Sequence, residues 1–259
     1  MSPNELVFNR IDELWKRIRK HAIEPKFSEE CKKREMPPDY NRTDSQVLEQ
    51  MINLIAFSQG ARAERILAMI NRGDFRDVFA NFEPSRVAQM NPEDIRKKYW
   101  SGKLSPMRFP NKIDKMVECA KSIQDITQRN GSFMRFLQSA HLLDRLQSPA
   151  DIDTFWNAFE TARSKMPPYY HNFTSLCHFL QQHRFPCAKP DKVVMKVAAE
   201  LGIVPERKQH GETELRNVVR FIQQYAISRG QSVPVVDFIF LIHGGQSWAR
   251  GFVHPAYYA

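Results

Sequence analysis

Residues 166–204 read MPPYYHNFTSLCHFLQQHRFPCAKPDKVVMKVAAELGIV, and the order of elements in this stretch decides the fold expected for the chain. Pro167-Pro168 removes two backbone donors, so residues 165–172 cannot continue a helix and must turn. Leu176, Phe179 and Leu180 then recur at helical spacing, and residues 185–190 form a loop. Val193, Val194, Val197, Ala198 and Leu201 share one face of a further helix, which Gly202 stops. Asp191 stands directly before that helix, where a side-chain oxygen can cap backbone N–H groups. The stretch is therefore helix, turn, helix, loop, helix.

Working outward, the helical period persists. Leu6, Ile11, Leu14, Trp15 and Ile18 make a stripe interleaved with Lys16, Arg17, Arg19 and Lys20. Residues 24–42 are charged and carry Pro25, Pro37 and Pro38, which predicts a loop. Thr43-Asp44-Ser45 offers N-cap oxygens, with Gln46 placed to close a capping box. The helix that follows runs through Val47, Leu48, Met51, Ile52 and Ile55 to Gly60. Turn signals at 71–73, 83–84, 91–92 and 101–110 cut the next region into short helices. Ile113, Met116, Val117, Ala120 and Ile123 mark a longer one. Helices are also expected over 133–146, 151–162, 215–227 and 235–242. Val233-Pro234-Val235-Val236 has the composition of a strand, but nothing near it offers a partner. No repeat of fixed period is visible, and the fold class is all-α.

The 259 residues suffice for one large domain or two interlocked lobes, and the 42% hydrophobic content is that of a folded chain. No apolar run approaches the ~20 residues a membrane span needs, and residues 1–10 are too polar for a secretory signal. Cys31, Cys119, Cys177 and Cys187 form neither a CxxC pair nor a dense framework. They read as free thiols of a reducing, cytoplasmic compartment. His178 and His183 lie near Cys177 and Cys187, but their spacing does not converge four ligands, so no metal is expected. With only 10 glycines, and neither GxGxxG nor GxxxxGK[ST], nucleotide-binding loops are excluded and no cofactor is implied. Lys plus Arg is 38 against 29 acids, a net charge of +9, which attracts polyanions, nucleic acid first among them.

The stretch 166–204 resembles the helix-hairpin-helix DNA glycosylase superfamily. In that superfamily an L-P-G-V-G hairpin precedes, by about two dozen residues, a V-D-T-H-V segment holding the catalytic aspartate. Met166–Tyr170 and Pro190-Asp191-Lys192-Val193-Val194 are the counterparts here. Residues 195–202, ending in Leu201-Gly202, match the basic–apolar helix that follows. Ala56-Phe57-Ser58-Gln59 looks like the superfamily's I-L-S-Q, and Asn111-Lys112-Ile113 like its K-A-x-x-I element. Residues 75–90 are similar to the 3-methyladenine glycosylase branch, and Leu241-Ile242-His243-Gly244-Gly245 resembles the closing helix and glycine. The resemblance spans residues 43–245.

It implies two helical lobes with duplex DNA across a cleft. The first is 44–184, with its hairpin at 166–171; the second joins 1–43 to 185–259 and carries Asp191. It further implies a monomeric, monofunctional glycosylase that flips a damaged or modified base and leaves an abasic site. A carboxylate at position 191 would stabilise the positive charge developing on the sugar as the base departs. Bifunctional relatives hold a lysine about 18 residues before the aspartate. Asn172-Phe173-Thr174 stands there instead, which predicts no lyase step. Both hairpin glycines are absent. The glutamate and tryptophan of the 3-methyladenine pocket have no counterparts at Ile55 and Ala63, so that substrate is not carried over.

The resemblance places Tyr169, Tyr170, His171, Asn172, Thr174, Lys189, Lys192 and Gly244 toward DNA. It places Phe57, Ser58, Gln59 and Trp156 toward the base. Each has a plainer reading. The tyrosines would pack the turn, Ser58-Gln59 would end a helix, Trp156 would join Phe159 in the core, and Asp191 would be only a helix cap. Two other classes stay open: a non-catalytic DNA-binding module on the same scaffold, and a helical protein-interaction domain whose charge is incidental. The aromatic tail, Trp248 to Tyr258, is expected to pack back on the chain.

Overall fold

A computed structural model describes residues 3–259, and among them there is no strand, only one isolated bridge between Ala22 and Val253. The fold is all-α. Helices α1 (Pro3–Lys20), α2 (Lys26–Glu35), α3 (Asp44–Phe57), α4 (Ala63–Asn71), α5 (Asp74–Val78), α6 (Pro84–Val87) and α7 (Pro92–Tyr99) make the first part of the chain. They are followed by α8 (Lys112–Asn130), α9 (Phe133–Ser139), α10 (Pro149–Arg163), α11 (Phe173–Gln182), α12 (Lys192–Glu200), α13 (Glu212–Arg229) and α14 (Val233–His243).

The chain divides into two compact units. One comprises residues 1–38, 143–157 and 173–259; the other comprises 39–142 and 158–172. Residues 143–157 and 173–184, expected in the bundle lobe, thus pack with the unit that contains Asp191.

In the 39–142 unit α8 is the centre, packed by α3, α6, α7 and α9. Its buried stripe is the expected one, Ile113, Met116, Val117, Ala120 and Ile123. The capping box at the start of α3 forms: Gln46 N donates to Thr43 Oγ1 at 3.3 Å, and Thr43 N donates to Gln46 Oε1 at 2.9 Å. Asp44 ties α3 to the far end of the bundle, accepting from Thr127 Oγ1 at 2.6 Å and from Phe133 N at 2.8 Å.

In the other unit α14 is buried on nearly every side, as a helix that is apolar all round must be. It packs against α1, α2, α12 and α13. The tail returns to this unit, with Phe252 and Tyr257 buried and Phe252 edge-on to Phe238 at 5.0 Å.

Three local expectations are corrected. Residues 26–35 form a helix rather than a loop: KFSEECKKRE shows no wide stripe, yet Phe27 and Cys31, one turn apart, are both buried and Arg34 pairs with Glu30 at 2.8 Å. The helix expected over 133–146 ends at Ser139, because His141 turns the backbone to φ +58°. Val233–Val236 is the first turn of α14, where proline is tolerated because its missing N–H would have had no partner.

Candidate functional site

Asp191 lies in the N-cap position before α12. Its Oδ1 accepts from Val193 N at 2.9 Å and from Val194 N at 3.3 Å. Its Oδ2 pairs with Lys189 Nζ at 3.1 Å, and 22% of the side chain remains exposed. Both the cap reading and the partly open carboxylate therefore hold for one residue.

The open side of Asp191 borders a groove of about 970 Å³ within the same unit. Pro190, Met195, Ala199 and Leu215 give it apolar walls, and its charged lining is Lys192, Lys196, Arg207 and Lys208 with the acids Glu200 and Glu206. Thr174 borders it from α11. Some of this charge is answered locally: Lys196 pairs with Glu200 at 3.5 Å and Arg207 with Glu214 at 3.0 Å. A carboxylate beside a cationic groove can face a sugar whose phosphates the cations hold.

The turn at 189–191 is fixed from below. Lys189 N donates at 2.9 Å to Oδ1 of Asp237, a wholly buried residue of α14. Gln181 Nε2 donates to Asp237 Oδ2 at 3.0 Å, and Arg34 Nη1 stands 4.0 Å from the same oxygen. Desolvation pushes this carboxyl up to about 6, with Arg34 acting in the opposite direction. Gly244 is half-buried at the end of α14. It packs against Val193 and Val197 of α12, so closely that a Cβ there would collide with Val193.

The other expected residues fall elsewhere. Tyr170 is fully buried and its hydroxyl donates to Met51 O at 3.2 Å, so it packs the turn and cannot meet DNA. Trp156 is 3% exposed, donates to Gln223 Oε1 at 2.9 Å and stacks on Phe173 at 5.7 Å, which makes it core rather than base pocket. Of the hairpin residues, His171 and Asn172 are exposed and Tyr169 is half-buried, with the Lys115 ammonium 5.4 Å over its ring.

Phe57, Ser58 and Gln59 end α3 in the 39–142 unit. Ser58 Oγ donates to Ile55 O at 2.7 Å, and Gln59 and Gly60 both adopt positive φ. That end is clamped by Lys112, whose buried Nζ donates to Ala56 O at 3.0 Å, Ser58 O at 2.7 Å and Met107 O at 3.0 Å. Desolvation lowers Lys112 to about 8, and Arg108 and Lys115 act in the same direction.

Residues 39–167 match the family model of methyladenine glycosylase. The match covers about half of the chain and is consistent with a helix-hairpin-helix DNA glycosylase of that branch. No curated protein and no solved structure matches the chain. The family points to a DNA glycosylase, a hydrolase acting on DNA. The matched residues end at Pro167, so Asp191 and its groove lie outside them. Among the described residues no group of three or more His, Cys, Asp or Glu converges as metal ligands, and no helix is long and apolar enough to cross a membrane.

Sequence reasoning placed Lys189 toward DNA but missed its pairing with Asp191. It sought an amine only at 172–174, whereas Lys189, two residues before the carboxylate, brings its amine to 3.1 Å. It also passed over Asp237, although a lone acid inside VPVVDFIFLIH is itself a signal of a buried, partnered carboxylate.

Proposed function

We propose that the chain is a DNA glycosylase that hydrolyses the N-glycosidic bond of a damaged or modified base flipped out of duplex DNA, leaving an abasic site. The observation that carries this reading is the partly exposed carboxylate of Asp191 at the edge of a groove lined by lysine and arginine. The cations attract the phosphates on either side of the target nucleotide. The carboxylate, held by two backbone N–H groups, stabilises the oxocarbenium-like sugar and orients the attacking water. Unstacking the base costs a few kcal/mol, which phosphate contacts must offset.

The reaction stops at the abasic site. No amine stands at 172–174, where bifunctional relatives hold their lysine, and Lys189, the amine beside the carboxylate, is engaged in the ion pair at 3.1 Å. Borohydride added to the protein with abasic DNA is expected to trap no covalent adduct.

The principal test incubates the protein with duplexes carrying methylated purines, deaminated bases or bulky modified pyrimidines and identifies released bases by mass spectrometry. Asp191→Asn should slow release sharply, to a small residual rate, while DNA affinity survives. Release at the wild-type rate by that variant overturns the catalytic assignment. The second reading, a non-catalytic DNA-binding module, draws on the same ion pair, which neutralises the carboxylate when no DNA is bound. It predicts salt-dependent DNA binding with no base released from any duplex.

A further inference from the structure

We propose that Asp237 is a positioning residue for Asp191: its buried carboxylate grips the 189–191 turn from α14 and sets the direction in which the Asp191 carboxylate points. The proposal rests on the reading of Asp191 given above.

The chain of bonds is short. Gln181 Nε2 donates to Asp237 Oδ2 at 3.0 Å, and Asp237 Oδ1 accepts from Lys189 N at 2.9 Å. Asp191 N donates to Lys189 O at 2.8 Å, while Lys189 Nζ pairs with Asp191 Oδ2 at 3.1 Å. Lys189 is thus held by Asp237 through its backbone and touches Asp191 through both its carbonyl and its side chain. Pro190, between them, fixes its own φ and leaves the turn little freedom. Asp237 comes from a helix otherwise built of apolar residues and is wholly buried, a location where an unpartnered carboxylate would be costly.

The charged and titratable groups around Asp237 are Arg34 from α2 with its partner Glu30, His178 from α11, and Lys189 and Asp191 from the turn. Desolvation holds His178 well below its ordinary value, with Lys189 and Arg34 adding to the effect, so it stays neutral. Burial raises the Asp237 carboxyl, so its ionised form is disfavoured in the folded chain. A carboxylate kept mainly for stability would show the opposite shift.

Asparagine at 237 offers one acceptor and one donor in place of two acceptors. Gln181 Oε1 already accepts from Gln182 Nε2 at 2.8 Å, so turning Gln181 to compensate would give up that bond. Asp237→Asn must therefore lose the Lys189 bond, the Gln181 bond or the Gln182 bond, with almost no change of volume.

The test follows amide hydrogen exchange at Val193 and Val194, whose N–H groups Asp191 caps, in wild type, Asp237→Ala and Asp237→Asn. It adds single-turnover base release from methylated duplex DNA. Protection at these two amides should fall about fivefold, the worth of a displaced cap, while later amides of α12 keep theirs. Release should slow by up to roughly 100-fold with DNA affinity unchanged. Combining Asp237→Asn with Asp191→Asn should slow release no further than Asp191→Asn alone.

Unchanged protection at Val193 and Val194 in folded Asp237→Ala overturns the proposal, as does a rate loss that adds in full to that of Asp191→Asn. If the alanine variant does not fold, Asp237→Leu, similar in shape and without an acceptor for Lys189 N, carries the same measurements. If wild type releases no base, the glycosylase reading fails, and the exchange measurement still decides the positioning claim.

Discussion

Lys112 in the 39–142 unit and Asp237 in the other are both buried ionisable groups that grip a turn through its backbone, and they do so with opposite chemistry. Lys112 spends three N–H donors on three carbonyls at the end of α3, which closes the cluster. Asp237 accepts from one amide and one side chain, and the turn it holds carries a second carboxylate that stays partly exposed. Burial penalises both charges, lowering Lys112 to about 8 and raising Asp237 to about 6, so both remain charged at neutral pH with little margin. The comparison teaches that one clamp completes a fold while the other leaves a partly exposed carboxylate at its edge.

The largest expected effect belongs to Lys112. Lys112→Met leaves the carbonyls of Ala56, Ser58 and Met107 without this donor and should cost about 3–5 kcal/mol. Thermal melting should drop by roughly 10 °C; a melt within a degree or two of wild type breaks the comparison, because the clamp would then hold nothing. Gly244→Ala comes next. The added Cβ would press on Val193, on Val197 Cγ2 at 3.1 Å and on Phe240 O at 3.2 Å, at a cost of about 1–3 kcal/mol. Adding Val193→Ala should recover part of that loss in denaturant unfolding, since the tightest contact is to that side chain.

The two buried charges should also tilt stability in separate pH windows. Asp237 has a folded value above its ordinary 3.8, so its contribution is complete below that value and is lost as pH rises toward 6. Lys112 has a folded value below its ordinary 10.5, so its contribution is complete above that value and is lost as pH falls through 8. Unfolding free energy measured across pH should lose the acidic slope in Asp237→Asn and the alkaline slope in Lys112→Met. A variant that keeps its slope reassigns that slope to another group. The smallest effect is expected at the groove. Lys192→Ala should leave melting nearly unchanged and reduce the slope of DNA affinity against salt by about one. A large loss of stability instead would show Lys192 to be part of the turn's support.

Much of the fold was legible because it depends on local period. The stripe of α8, the Thr43–Gln46 capping box and the Asp191 cap are all patterns of three or four residues, and all are present. Helix α2 was not legible, since its two buried residues are too few to show a stripe and its position depends on what covers them. Candidate site residues fared unevenly for the same reason. Tyr170 and Trp156 have the chemistry of base-stacking groups, but burial turned both inward. Lys189, Lys192 and Thr174 do surround Asp191 or its groove; of the groove's remaining cations Lys196 belongs to the basic–apolar helix, whereas Arg207 and Lys208 come from residues no motif marks.

By itself the sequence determined an all-α chain, a helix capped by Asp191 and a basic composition, because periodicity, capping and charge are properties of neighbours along the chain. Only the tertiary structure decided that Asp191 keeps an open edge and that Asp237 accepts from the backbone of Lys189 beside it. The Asp237–Lys189 bond joins residues 48 positions apart, and such meetings are fixed by packing, which no local pattern encodes.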